Sequence, residues 1–329
     1  MGKTGGSPTM KDVAREAGVS LGTVSNVFNG FPATDLTRRK VLEAAEHLGY
    51  RLNNYARGLK TNKTYSAALI LPSLEMPFFH SLAEAVSTSL QARGYRMILM
   101  ITKYDPDAEQ KCIDMVQENK IDGIIALTYH PHLQIDAGLP FVSIDRRCGA
   151  CITCVSSDNY GGGRLAAGKL LELGCRKLLY FRIGSDVASE VDRRGDGFED
   201  ACRARGAAFE SLILSDAETD APFYRYLEAH TEQGRADFDG IFCNTDRLAL
   251  RIVGKLAALG VRVPEDVQVI GYDGLPDYVS GHPACSTIVQ PVAQMAETSV
   301  QVLLGGGEPR PPAVIRLPVH YEAHGTTRA

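Results

Sequence analysis

The chain of 329 residues contains no apolar run long enough to span a bilayer, and no short apolar stretch behind a basic start of the kind that directs export. These absences exclude a membrane protein and point to the cytoplasm. No Ser or Cys stands in a recognisable arrangement with His and an acid, and no metal-ligand spacing occurs, so neither covalent nor metal-assisted catalysis is indicated. The triple glycines at 161–163 and 305–307 lack the G-K-[ST] ending and do not follow a strand as G-x-G-x-x-G does, which excludes nucleotide hydrolysis. Close helix packing accounts for the first and a turn before Pro309 for the second. Eight cysteines in such a chain do not read as a disulfide framework. Cys148, Cys151 and Cys154 have the C-x2-C-x2-C spacing of an iron–sulfur loop, but no fourth ligand lies nearby. Cys154 also opens a strand-like run that turns its side chain relative to the other two, so reduced thiols are expected. His130 and His132 flank Pro131 and read as solvated imidazoles in a turn. No metal and no cofactor is expected.

What the chain does have is an uneven distribution of charge. Its net charge of −4 conceals ten Lys/Arg against five Asp/Glu in residues 1–63, and 25 against 34 in the remainder. A head with a surplus of five positive charges on a body with a deficit of nine suits a DNA-reading module joined to a domain that stays off DNA.

The stretch 11–29, KDVAREAGVSLGTVSNVFN, reads as two short helices across a tight turn. Val13, Ala14 and Ala17 form a small apolar stripe. Gly18 can take the left-handed conformation that ends a helix, Val19 tucks under the turn, and Ser20 caps the second helix. Val24, Val27 and Phe28 turn inward, leaving Leu21, Gly22, Thr23, Ser25, Asn26 and Asn29 outward on a small, polar face free of acids. This is a helix-turn-helix whose second helix can enter a major groove. A third helix is expected over 34–48, capped by Thr34, with Val41, Leu42, Ala45 and Leu48 inward. Base readout is assigned to Leu21, Gly22 and Asn26, and phosphate contacts to Arg38, Lys40, backbone amides and hydroxyls such as Ser25.

The motifs D-V-A-x-x-A-G-V-S-x-x-T-V-S-x-V-x-N and T-R-x-K-V-L-x-A-A-x-x-L-G-Y resemble the headpiece of the lactose-repressor (LacI/GalR) family of bacterial transcription regulators. The resemblance implies that the linker 51–63 carries a hinge helix, over Asn53 to Leu59, that pairs with its twin, with Asn53 and Ala56 at the DNA and Leu59 pushed into the minor groove as a wedge. Tyr50 joins the expected DNA-contacting set. Leu52 departs from the family's usual proline, and Asn26 stands where Arg or His is often found.

Beyond the linker, apolar strands alternate with amphipathic helices. Strands are expected at 67–71, 95–101, 123–127 and 141–144, with helices at 77–93 and 107–119. A second set has strands at 177–181, 211–214, 240–243 and 267–272, with helices at 160–173, 192–205, 222–233 and 246–259. Two doubly wound, parallel α/β lobes follow, with ligands expected in the cleft at the carboxyl ends of the strands. The V-P-E-D-V-x-V-I-G-Y-D segment and S-T-I-V-Q-P resemble family landmarks, and the resemblance implies a periplasmic-binding-protein-like core whose lobes exchange strands near the end. The expected organisation is a disordered tail (1–8), a small all-α headpiece (9–50), the hinge (51–63) and the core (64–329). One lobe takes about 64–159 and 291–318, the other about 160–290 and 319–329.

Asp158, Arg194, Asp246 and Asp273 fall at strand ends or helix starts, where carboxylates and a guanidinium make charge-assisted hydrogen bonds; Phe78 and Phe79 can supply a flat wall. Such a set suits a polyhydroxylated ligand. The resemblance implies that Arg194 and Asp273 bind the ligand, and that Phe79, Asp158, Thr245 and Gln290 line the pocket. Asp246 and Asp158 read equally as helix caps. Departures from the family pattern at Thr245, Ala217–Tyr224, Cys175 and Arg251 point to an unusual effector. The expected protein is a homodimeric, effector-responsive repressor of double-stranded operator DNA, most simply answering to a sugar. A purine-responsive regulator, a solute-binding protein and an enzyme using a cleft carboxylate pair are the alternatives.

Overall fold

The computed structural model describes residues 8–28, 31–50, 63–130, 132–136, 138–148, 152–185, 187–215, 219–274, 276, 284–305 and 313–328. The chain divides into two compact units, Met1–Thr64 and Tyr65–Ala329. Most of the expected tail, and the expected hinge with Asn53, Ala56 and Leu59, lie outside the described residues, as does Asn29.

In the first unit, α1 (Met10–Ala17), α2 (Leu21–Phe28) and α3 (Asp35–His47) form a three-helix cluster. Each start is set by a local hydrogen bond. Thr9 and Asp12 make a reciprocal capping box on α1. The hydroxyl of Ser20 accepts from Thr23 N at 3.1 Å, and that of Thr34 from Thr37 N at 3.3 Å. Gly18, at φ 65°, ends α1 in the left-handed region. Val13, Val24 and Val41 are fully buried among Ala14, Val27, Ala44 and Ala45. The expectation for Leu42 is corrected: it is 49 % exposed. The inward row of α3 is Val41, Ala44, Ala45 and Leu48, and a residue one position from Val41 stands about 100° round the helix.

The second unit holds two six-stranded sheets. The first contains β1 (Ser66–Leu71), β2 (Arg96–Ile101), β3 (Ile124–Ala126), β4 (Phe141–Ile144) and β5 (Thr153–Ser157), with helices α4 (Pro77–Gln91) and α5 (Pro106–Glu118) between its strands. Next come α6 (Asn159–Glu172), β6 (Lys177–Gly184), a short 3-10 turn (Glu190–Asp192), α7 (Arg193–Ala204), β7 (Ala208–Ser215) and α8 (Ala221–Ala229). The chain continues through a small hairpin, β8 (Thr231–Glu232) and β9 (Arg235–Ala236), to β10 (Gly240–Cys243), α9 (Asp246–Ala258), β11 (Gln268–Asp273) and β12 (Thr287–Val289). It ends with α10 (Val292–Leu304), β13 (Val314–Leu317) and β14 (His320–Glu322).

The first sheet has the order β2-β1-β3-β4-β5-β13, and the second β7-β6-β10-β11-β12-β14. All pairings within them are parallel except β12 with β14. Strands β1 and β11 are buried along their whole length, which explains why apolar residues fill most of their positions. The chain crosses between sheets three times: after β5, between β12 and α10, and between β13 and β14. Each sheet reverses its strand order beside its first strand, the switch point where such sheets bind ligands at their carboxyl ends.

The helix expected over 222–233 stops at Ala229. Gln233 and Gly234, both at positive φ, turn the chain into the β8–β9 hairpin instead. Strands β12, β13 and β14 are three or four residues long and were too short to stand out by periodicity.

The glycines at 161–163 pack rather than bind. A Cβ on Gly163 would sit 1.9 Å from the carbonyl oxygen of Arg194, and one on Gly197 would sit 2.0 Å from that of Tyr160. These paired glycines bring α6 and α7 into backbone contact and thereby fix the place of Arg194.

Candidate functional site

In the headpiece, the outward face of α2 presents Leu21 (43 % exposed), Gly22 and Asn26, with Thr23 and Ser25 half-buried beside them. The first turn of α2 carries no acid. Thr23 exchanges a hydroxyl hydrogen bond with Ser20 at 2.9 Å, at the helix start where free amides favour phosphate. Arg38 is half-buried and Lys40 exposed, both on α3. Tyr50 is turned partly into the headpiece core, its ring centroid 5.7 Å from that of Phe28. Among the described residues, no polar or charged side chain before Ser66 is buried.

In the core, a cavity of about 500 Å³ opens at the carboxyl ends of the strands of both sheets, a volume in the usual range for small-molecule sites. Phe78 and Phe79 come from the start of α4, Leu127 and Tyr129 from beyond β3, and Asp145 and Arg146 from beyond β4. The second lobe contributes Arg182 from β6, Arg194 from α7, Asn244 and Thr245 from beyond β10, Asp273 from the end of β11 and Gln290 from beyond β12.

The two aspartates occupy equivalent places, one at the end of a strand in each lobe, and both have positive φ: 56° at Asp145 and 130° at Asp273. Such backbone is costly for a residue with a Cβ, and it persists where the surroundings enforce it. Hydrogen bonds and one ion pair join them. Ser156 donates to Asp145 at 2.6 Å, Asn159 donates to the Ser156 hydroxyl at 2.9 Å, and Arg194 Nε donates to Asn159 Oδ1 at 2.7 Å. The Arg194 guanidinium lies 3.9 Å from Asp273, which accepts from Gln290 at 2.7 Å; Ser157 in turn donates to Gln290 at 2.8 Å. Arg194 also stacks over Tyr272, 3.6 Å from the ring centroid, and donates to the carbonyl of Asn244 at 2.5 Å. The path thus runs from one lobe through the crossover after β5 to the other.

Burial pushes the carboxyl of Asp273 well above the ordinary carboxylate range, with Arg194 opposing the shift. Burial raises Asp145 as well, against the hydrogen bond from Ser156. Glu190, on the 3-10 turn of the second lobe, ties the lobes together by a different route. It accepts from Arg316 of β13 at 2.9 Å and from Arg147 at 3.2 Å.

Of the effector set expected from the sequence, Phe79, Arg194, Thr245, Asp273 and Gln290 line the cavity. Asp158 and Asp246 do not. Asp158 caps α6 by accepting from Gly161 N at 2.9 Å. Asp246 is 1 % exposed and spends its carboxylate on the Thr287 hydroxyl at 2.6 Å and on Gly274 N at 2.9 Å. Thr245, not Asp246, caps α9. Phe78, buried in the first lobe's apolar core, also lines the cavity beside Phe79. Asp145, Arg146, Arg182 and Tyr129 were missed. The dipeptide Asp145-Arg146 directly follows the apolar strand FVSI, the same signal that singled out Asp273. Cys148 and Cys154 have thiols that burial pushes up to about 12, which is opposite to the behaviour of a metal ligand; Cys151 lies outside the described residues.

Residues 9–53 match the family described as bacterial regulatory proteins, lacI family, and residues 64–305 match the periplasmic binding proteins and sugar binding domain of the LacI family. The chain belongs to the LacI family. It is 34 % identical over 301 residues to the sucrose operon repressor of Pediococcus pentosaceus, covering 90 % of this chain and 91 % of that one. The transcriptional regulator CelR in complex with cellobiose superposes with a TM-score of 0.68 at 26 % identity, over 97 % of this chain and 99 % of that one. The lac repressor dimer bound to operator and the anti-inducer ONPF shares the fold, with a TM-score of 0.77 at 20 % identity, over 98 % and 100 % of the two chains. Within this LacI-family frame the residues that depart from the family pattern have local explanations. Cys175 is buried and donates to the carbonyl of Asp239 at 3.2 Å, and Arg251 pairs with Asp220 at 3.0 Å.

Proposed function

We propose that the protein is a cytoplasmic transcriptional repressor, binding a pseudopalindromic operator as a homodimer, whose grip on DNA is set by a sugar or sugar derivative in the core cavity. The observation that carries this reading is the path of hydrogen bonds from Asp145 to Arg194, which an ion pair continues to Asp273. A hydroxylated ligand touching Asp145, Arg194 and Asp273 would contact both lobes at once and favour one arrangement of them. Aromatic faces at Phe78, Phe79 and Tyr129 suit the C–H faces of a sugar ring. The named relatives, a sucrose operon repressor and a regulator in complex with cellobiose, support a carbohydrate.

On the headpiece, Leu21, Gly22 and Asn26 read bases, and Thr23, Ser25, Arg38 and Lys40 hold phosphates. Asn29, Tyr50 and the hinge residues Asn53, Ala56 and Leu59 complete the proposed DNA surface. In this reading the core binds without turnover, with Asp145 and Asp273 each engaged by neighbours.

Gel retardation of the full chain on palindromic duplexes, with and without sucrose, cellobiose and related sugars, tests the proposal. Arg194→Ala should retard the same duplex yet lose the response to sugar. A full response in that variant would place the effector elsewhere, and failure of the wild type to retard any palindrome would remove the operator.

A further inference from the structure

The cavity at the strand ends has a neighbour. A second chamber of about 480 Å³ adjoins it, and Met76, Ile183 and Thr245 line both. Met76 comes from the first lobe, just before α4, so this chamber too lies between the lobes. Its far wall belongs to the second lobe: Thr219 and Asp220 directly before α8, and Arg247 and Arg251 on α9. Each chamber is in the usual range for a small-molecule site, and together they exceed what one sugar ring can fill.

The polar groups of the second chamber have capacity to spare. Asp220 stands at the N-cap position of α8 but makes no cap with its side chain. It pairs with Arg251 at 3.0 Å and accepts from the Tyr224 hydroxyl at 3.3 Å, both through Oδ2. Among the described residues its other oxygen has no partner, and it can accept from a ligand hydroxyl. Arg247 pairs with no carboxylate among the described residues; its guanidinium donates to the thioether of Met76, across the lobe boundary, at 3.4 Å. Sulfur is a weak acceptor for a charged donor, so a hydroxyl oxygen brought to this place would take the bond over. Thr245 caps α9 by accepting from Leu248 N at 3.2 Å, which leaves its own O–H to donate at the junction of the chambers. Among the described residues no aromatic ring lines the second chamber, so it offers little to a flat apolar group. Thr245, Arg251 and Asp220 of the segment 217–224, all at places where the sequence departs from the family pattern, come together here.

We propose, building on the carbohydrate reading above, that the effector is a disaccharide, with one sugar unit among Asp145, Arg194 and Asp273 and the other in the second chamber, on Asp220 and Arg247. The Thr245 hydroxyl then faces the linkage between the units. The second unit replaces the Met76–Arg247 contact and gives the ligand a further hold on both lobes. Specificity for the longer ligand follows, because a single sugar leaves these groups with their poorer partners.

Titration calorimetry on the full-length protein tests this by setting disaccharides against their parts: sucrose, cellobiose, maltose and trehalose against glucose, fructose, methyl glucoside and phenyl glucoside. The tightest binder should be a disaccharide, by about tenfold or more over its constituent sugars and over both glucosides, as expected for one charge-assisted contact. Arg247→Ala, at an exposed side chain, should remove most of that advantage while changing the affinity for the constituent sugar by less than about threefold. Thr219→Trp, also at an exposed position, should fill the chamber and bring the disaccharide level with its parts or below them. Melting temperatures of both variants serve as the folding control. A constituent sugar that binds as tightly as every disaccharide, a phenyl glucoside that equals the best disaccharide, or a disaccharide advantage that survives in both variants overturns the second sugar unit and leaves the carbohydrate reading standing. No binding by any of these probes overturns both.

Discussion

The headpiece and the core use polar groups in opposite ways. Among its described residues the headpiece buries only small apolar side chains and keeps its polar side chains at or near the surface. The core buries Asp145, Arg146, Arg194, Asp246, Asp273 and Gln290 and satisfies most of them internally. A module that reads a large, hydrated polyanion needs exposed donors and a positive surplus, and gains little from an organised interior. A module that recognises a small molecule needs preorganised groups away from water, and accepts strained backbone at Asp145 and Asp273 to place them. Specificity in the first is written on a face, and in the second on the ends of strands.

The sharpest way to break this contrast is to put a charge where the headpiece has none. Val41→Asp places an unpaired carboxylate in a fully buried site and should cost about 4 kcal/mol or more, enough to unfold a cluster of this size. Retardation of operator should vanish while calorimetric binding of ligand by the core persists, because the two units are separately compact. Loss of ligand binding as well would mean that the units do not fold independently.

In the core the corresponding weak point is a glycine. Gly163→Ala would drive a methyl group into the carbonyl of Arg194, and should lower core stability by about 1–3 kcal/mol and blunt the effector response. A variant with an unchanged melting temperature would show that α6 and α7 can move apart. On the headpiece face, Asn26→Ala should change base preference at one operator position by about 1–3 kcal/mol, with stability within about 0.5 kcal/mol. Selection of bound duplexes from a randomised pool measures the first, and thermal melting the second.

The most gradual expected effect concerns pH. Asp273 and Asp145 hold their protons more tightly in the folded core than in the unfolded chain, so the folded state carries more protons above the ordinary carboxylate value of 3.8. Core stability should therefore fall as pH rises from about 4 toward 8, by at most about 1.4 kcal/mol per pH unit for each group. Glu297, held down by Arg93, and Asp266, held down by Arg262, titrate near 2 and leave this window clear. Asp273→Asn should flatten the slope, as read by chemical denaturation at several pH values; an unchanged slope would assign the protons elsewhere.

The same contrast explains what could be read from the chain alone. The headpiece was legible nearly residue by residue, because caps, a turn glycine and helical periodicity are local signals. Leu42 failed because one position along a helix is a large rotation, not because the helix was misplaced. Both sheets were legible from apolar runs, whereas β12, β13 and β14 are short and depend on partners brought from elsewhere. Strand-end residues could be nominated but not sorted. Asp158, Asp246 and Asp273 look alike in sequence; Asp158 is taken by a local cap on Gly161, and only the tertiary placement of Gly274 and Thr287 shows that Asp246 is occupied.

The central claim is that the cavity and the headpiece report on one equilibrium. Linkage makes that claim quantitative: the factor by which a ligand changes operator affinity must equal the factor by which operator changes ligand affinity, typically about 5- to 150-fold. Measuring the affinity of the best-binding sugar derivative for the full chain, free and saturated with a duplex that it retards, tests it directly. The account predicts a shift equal to the ligand's effect on retardation; identical ligand affinities with and without DNA would contradict it.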